Sequence, residues 1–359
     1  MGEALRQWGP AALAWALVLA RGPGGAARRR VRWVLVGLAC SLTAQIPAVY
    51  ALVGEVSGVP DAARLVSHAG MVFTAWAAQE FVACMNGLPR GPRWQVWWAA
   101  GAFGLMCVLF AALPDLRPQS PWVMEYCLVY AAAQAPALVA VIGLGVRHAR
   151  DRTLRVSLRL ITAGTVLGLL YLVDKSILAV APRAGFEFPF GRSVLPAKVL
   201  PTTAYVLVLV GAALPAAVSW LHHYRLHRGL GPLWRALYQA DPRIALDPPS
   251  VPDVVVLRHL RLRVYRRVIE IRDGLLALRP YRCPEIASSA QARAVASGLT
   301  GRALEAAVEA EIVAAALVRS RQAAVATSPA GPVVGGVDLA DDTAFLAQVS
   351  AAFTALPRR

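Results

Sequence analysis

Lysine is nearly missing from this sequence. Of 37 basic residues only Lys175 and Lys198 are lysine, and the rest are arginine. Cysteine is scarce as well, with five in 359 residues and no CxxC pair. That excludes a disulfide framework and a zinc ribbon. Cys40, Cys84, Cys107 and Cys127 lie within apolar stretches and read as small apolar fillers, and Cys283 stands apart. The signatures of common chemistry are missing too: no GxxxxGK[ST], no HExxH, no GxSxG, no GxGxxG after a strand. No aspartate-rich pair suggests diphosphate handling through magnesium. His222, His223 and His227 come nearest to a metal set, but they sit in a basic juxtamembrane stretch. The sequence indicates no metal and leaves any cofactor unknown. Charged residues are only 16% of the chain, against about 25% in soluble domains.

Apolar surface is abundant instead. Hydrophobic residues make up 57% of the chain, with a mean hydropathy of +0.51. The excess is concentrated in 8–221, where apolar runs reach the 20 residues that a bilayer requires and a soluble core does not. Seven spans are expected, at about 5–20, 33–54, 65–87, 94–114, 122–146, 156–181 and 195–221. The first is short. Arg6 before it mimics a signal peptide, but the cluster Arg21, Arg28, Arg29, Arg30 and Arg32 that follows resists export.

Loop charge alternates. Arginines crowd the stretches after spans one, three (Arg90, Arg93) and five (Arg147, Arg150, Arg152, Arg155). The intervening loops hold Arg64, then Arg117, then Arg183 and Arg192. Basic loops face the cytosol, so the expected topology is N-terminus outside and C-terminus inside, in the plasma membrane. Trp8, Trp33, Trp94, Trp97, Trp98, Trp122 and Trp220 fall near span ends, as an interfacial belt does. The net charge of +16 therefore reads as topology and lipid contact, with the bilayer as partner, and not as nucleic-acid binding.

After 221 the pattern changes to that of a cytosolic helical domain. Leu257, Leu260, Val264, Val268, Ile271, Leu275 and Leu278 recur at spacings of three and four, which predicts one amphipathic helix over 254–278. Further helices are expected over 302–321 and 339–356, the last opening on Asp338 as N-cap. The fold class is thus all-α: a seven-helix transmembrane bundle over 1–221, then a small helical domain over 222–359.

Polar side chains at bilayer depth need a partner or a wet cavity. Gln45, Gln79, Glu80 and Gln134 lie within spans, Glu80 with no lysine at its depth. His68, Glu125, Asp174, Lys175 and Lys198 lie towards the outer face. Glu125 or Asp174 is expected to neutralise Lys198. Together these residues form either an outward-facing polar pocket, with Glu80 as a deeper proton or cation site, or interhelical glue with snorkelling ends. AQIPA (44–48) and AQAPA (133–137) echo one another three spans apart, the relation of an inverted repeat. In the tail, RRVIEIRDG (266–274) places Arg266, Arg267, Glu270, Arg272 and Asp273 together, either as an ion-pair network or as a docking surface for a cytosolic protein through 254–282.

GPLWRAL, DPRIAL and RRVIEIRDGLLALRPY in the tail carry a resemblance. The chain resembles a family of actinobacterial multi-pass membrane proteins assigned to transport, whose C-terminal region is a domain of unknown function. The likeness is specific over 230–282 and compositional in the membrane part. It implies a membrane location and a transport role, and it supplies no substrate and no catalytic residue. Three functions remain open: a membrane sensor or scaffold passing an outside signal to a cytosolic partner, a small-solute or proton-coupled transporter, and a membrane-embedded enzyme, for which no motif speaks.

Overall fold

The computed structural model describes residues 2–20, 24–59, 61–88, 90–113, 120–148, 155–185, 199–246, 259–322 and 338–357. Those residues are helical throughout, with no strand among them. The chain divides into two compact units, Met1–Ala216 and Ala217–Arg359.

The first unit holds α1 (Gly2–Ala20), α2 (Ala26–Ala44), α3 (Pro47–Ser57), α4 (Ala62–Met85), α5 (Arg93–Ala112), α6 (Val123–Arg147) and α7 (Arg155–Val180). It also takes the start of α8 (Leu200–Ala240). Four helices are long and apolar enough to cross a membrane: α5, α6, α7 and α8. A fifth is possible if α2 and α3 count as one span, although the chain bends there by 82°. The expected straight helix over 33–54 is therefore two. Gln45 and Ile46 close α2 through bonds to Leu42 and Thr43 carbonyls, and Pro47 starts α3 at its first position, where its missing N–H costs nothing. The expected first span survives only as a shorter apolar helix within α1, Gln7–Ala20.

α4 is not among the apolar four, because it carries the unit's polar side chains inward. Ser67, Gln79 and Glu80 are all buried on it. Its tightest partner is α2. A Cβ on Gly70 would lie 2.8 Å from the Gly37 carbonyl oxygen and 2.9 Å from the Ser41 nitrogen. A Cβ on Gly37 would lie 2.5 Å from Thr74 Oγ1 and 2.9 Å from the Gly70 oxygen. Only glycine lets the two backbones approach this closely, the small-residue contact that holds membrane helices together. Gly70→Ala should therefore cost about 1–3 kcal/mol of stability, seen as a lower Tm of the detergent-purified chain. Gly143→Ala on α6, where a Cβ meets nothing within 4 Å, should leave Tm level or raise it. Equal behaviour of the two variants would refute the close crossing. α7 and α8 meet in the same way: Ser157 donates to the Gly211 carbonyl at 2.6 Å, and a Cβ on Gly164 would sit 2.7 Å from the Ala204 oxygen.

The second unit comprises the end of α8, α9 (Leu260–Ala277), α10 (Pro284–Ala296), α11 (Gly301–Arg321) and α12 (Leu339–Ala355). Leu260, Val264, Val268, Ile271, Leu275 and Leu278 are all buried, so the expected stripe is the core face of α9. They pack with Leu230, Leu233, Trp234 and Leu237 of α8, Val313 of α11 and Phe345 and Leu346 of α12. Residues 254–258 of the expected helix, Leu257 among them, lie outside the described residues. Asp338 caps α12, its carboxylate accepting the Asp341 N–H at 2.8 Å. α10, which periodicity did not predict, is set by Pro284 at its first turn and hairpins onto α11. Just before α10, Arg282 makes a buried bidentate ion pair with Glu309 of α11, at 2.7 and 2.8 Å; the two side chains are 4% and 3% exposed.

Candidate functional site

The break between α2 and α3 sets the first polar cluster. A straight α2 would carry Gln45 onward along the helix, whereas the bend leaves it at a free end. Its amide donates to Ser67 Oγ at 3.1 Å and reaches Ser41 Oγ at 3.5 Å, and the two serine hydroxyls are 3.0 Å apart. One residue beyond Ser67, His68 shares a hydrogen bond with the Tyr126 hydroxyl at 2.8 Å through Nδ1. The His68 ring also packs on Tyr130, with centroids 4.2 Å apart. Tyr205 of α8 lies beside the Gln45 amide, and Tyr130 lies beside Gln134 one turn along α6. Tyr171 of α7 borders both Tyr130 and Tyr205. Five helices and the break after α2 thus bring serine, glutamine, histidine and tyrosine into one region. Gln45 stays exposed there, and Tyr130, Tyr171 and Tyr205 are half-buried. Gln134 is buried, and its Nε2 has no hydrogen-bond partner among the described residues.

The second cluster lies farther along α4. Thirteen residues separate Ser67 from Glu80, roughly 20 Å along a helix. Glu80 is buried, yet it has a cationic neighbour: Arg30 Nε of α2 stands 3.6 Å from Oε2. Its other oxygen accepts the Gly91 N–H at 3.0 Å. A Cβ on Gly91 would come within 2.5 Å of Glu80 Oε1, so a larger residue there would make the carboxylate shift. Gln79 is buried beside Glu80 in sequence, with Oε1 unpartnered among the described residues. Arg30, read from sequence as one of a topogenic cluster, is therefore the counter-charge that Glu80 seemed to lack. Gln45 and Gln134 join the first cluster, and Gln79 and Glu80 the second.

His68 belongs to the first cluster. Glu125 pairs with Arg183, at 2.6 and 3.4 Å; Lys198, its expected partner, lies outside the described residues. Lys175 stands over the Tyr171 ring, 5.6 Å from its centroid. Asp174 Oδ2 has no hydrogen-bond partner among the described residues. No group of three metal-ligating side chains occurs among them either.

In the second unit the dense sequence cluster turns mostly inward. Glu270 accepts Trp234 Nε1–H at 2.6 Å and the Leu246 N–H at 3.1 Å. Arg267 donates to the His227 carbonyl at 2.9 Å and lies over the Trp234 ring, 4.7 Å from its centroid. Both side chains are buried. Arg272 forks onto Asp342 of α12. Only Arg266 and Asp273 of the five expected docking residues are exposed.

Sequence reading missed the tyrosines and serines of the first cluster, because single hydroxyl residues are common in apolar spans. The usable signal was their spacing. Ser41 and Gln45, and Tyr126, Tyr130 and Gln134, each recur every four residues on one helix face.

Residues 219–355 match a family of unknown function (DUF6545), so the second unit carries such a domain. No match was found among curated proteins or among solved structures. The apolar helices are compatible in length and composition with a multi-pass membrane protein.

Proposed function

We propose that this chain is a seven-span membrane receptor. In this reading the N-terminus lies outside, and the first polar cluster binds a small uncharged solute. The C-terminal helical domain lies in the cytosol and passes occupancy to a protein partner. One observation carries this reading: a span broken at Gln45 whose freed amide, with His68, Tyr130 and Tyr205, makes a mixed donor and acceptor surface that stays partly open. Irregular backbone at membrane depth is tolerated where it lines a cavity or is covered by protein. The cluster contains no carboxylate, so its chemistry suits neutral hydrogen-bonding groups better than cations. Counting seven spans requires the bent α2–α3 pair as one span, the shorter α1, and α4, whose 24 residues extend about 36 Å and whose Ser67, Gln79 and Glu80 are buried.

The test uses the full-length chain in nanodiscs, melted with a sugar, a nucleoside and a primary amide as probes. One probe should raise Tm, and Tyr205→Phe should weaken its binding about tenfold, the worth of one hydrogen bond. If no probe shifts Tm, or if Tyr205→Phe and His68→Ala respond as wild type does, the receptor site is lost.

A specific observation favours a second reading, a transporter. Discontinuous spans with a polar group at the break are a transporter device, and the α2–α3 bend of 82° supplies one. Proton flux into pyranine-loaded liposomes separates the two. Flux that disappears in Glu80→Gln would establish transport and displace the receptor.

A further inference from the structure

α9 has two apolar faces, and the core uses one. At about 100° per residue, Tyr265, Leu276, Ile269 and Leu262 fall within an arc of roughly 60° on the side away from the buried stripe. Leu262 is 50% exposed, Tyr265 46% and Leu276 61%. A soluble domain gains nothing by presenting such a stripe to water, and a contiguous exposed apolar strip marks a contact surface. Its flanks are cationic. Arg261 borders it on one side and Arg266 on the other, with Arg263 near the helix start. All three are exposed, and none is in an ion pair among the described residues. Asp273 is the one acidic residue on this face. An apolar strip with an arginine on each side is the pattern of a helix lying in a membrane interface, with its strip among the acyl chains and its guanidinium groups on phosphate.

We infer that this face of α9 docks on an anionic lipid surface. Charge complementarity selects that occupant. A second copy would set Arg261 and Arg266 against the same arginines. An acidic protein would satisfy the arginines but not require the four-residue apolar strip to be continuous. Chain continuity supplies the rest, because the second unit follows directly on α8, one of the membrane-spanning helices, and a bilayer is therefore always at high local concentration. The inference needs a bilayer and a folded second unit, and does not depend on the solute cluster in the first.

The experiment uses the full-length chain with its five cysteines replaced, carrying a nitroxide at position 262 or 276, in vesicles of phosphatidylcholine alone or with phosphatidylglycerol. A nitroxide at Ser297, which is exposed on no such strip, is the control. Accessibility to oxygen should rise, and accessibility to a water-soluble nickel chelate should fall, at 262 and 276 when phosphatidylglycerol is present, and not at 297. The triple variant Arg261→Glu, Arg263→Glu, Arg266→Glu should reverse this, shifting the docked-to-free ratio by about a factor of five for each arginine. These positions touch no core residue, and unchanged circular dichroism would show that the fold persists. The inference fails if positions 262 and 276 stay accessible to the chelate in anionic vesicles. It fails equally if they are protected in both lipids with dipolar broadening between labels, which would show a second copy, or protected only after cytosolic protein is added.

Discussion

In Glu309→Ala the second unit should lose about 3–5 kcal/mol, because Arg282 is left buried with no counter-charge. Both side chains are almost fully enclosed, so water cannot take the place of the lost carboxylate. Hydrogen exchange of the α11 amides in the full-length chain should speed up by about two to four orders of magnitude, the factor that this energy corresponds to. The pair itself is not worth that much. Arg282→Met with Glu309→Leu removes both charges, and should restore most of the protection, since an apolar pair of similar volume does as well as a buried ion pair. Arg293→Ala, which breaks an exposed contact with Glu311, should leave α11 exchange unchanged. An acceleration below tenfold in Glu309→Ala would show that the Arg282–Glu309 contact does not hold the turn between α9 and α10 to α11.

Glu270→Ala should be nearly as damaging, at about 2–4 kcal/mol, and Asp273→Ala on the same helix should stay within about 0.5 kcal/mol. Removing Glu270 strands two donors, Trp234 Nε1 and the Leu246 N–H, and takes the nearby carboxylate away from the buried Arg267. Asp273 projects into solvent. Urea denaturation followed by Trp234 fluorescence, in a background with the other tryptophans replaced, measures both. If instead Glu270→Ala left stability untouched and only weakened capture of a protein partner, the residue would be a docking group and not a core one.

The helices were legible because their cause is local. Apolar length marks α5 to α8, and the recurrence of apolar residues at three and four marks α9, α11 and α12. α10 escaped because its sequence is rich in alanine and serine, which give a weak stripe. The break after Ala44 escaped because proline in a span reads equally as a kink or a first-turn residue. Pro136 shows the other outcome, since α6 runs through it unbroken. The AQIPA and AQAPA echo therefore does not give the same local structure twice. Partners of buried charges were the least legible part. The Arg30–Glu80 and Trp234–Glu270 contacts join residues 50 and 36 positions apart, and only the packing of α2 on α4, and of α8 on α9, decides them.

α4 falls short of the apolar helices because of Arg64, His68, Gln79 and Glu80, and α2 opens on four arginines between Arg28 and Arg32. Neither segment is well suited to enter a bilayer by itself. Joined through the serine contact, the glycine crossing and the Arg30–Glu80 pair, they shield each other's polar groups. The consequence concerns biogenesis. We expect α2, α3 and α4 to enter the bilayer together, already packed on one another.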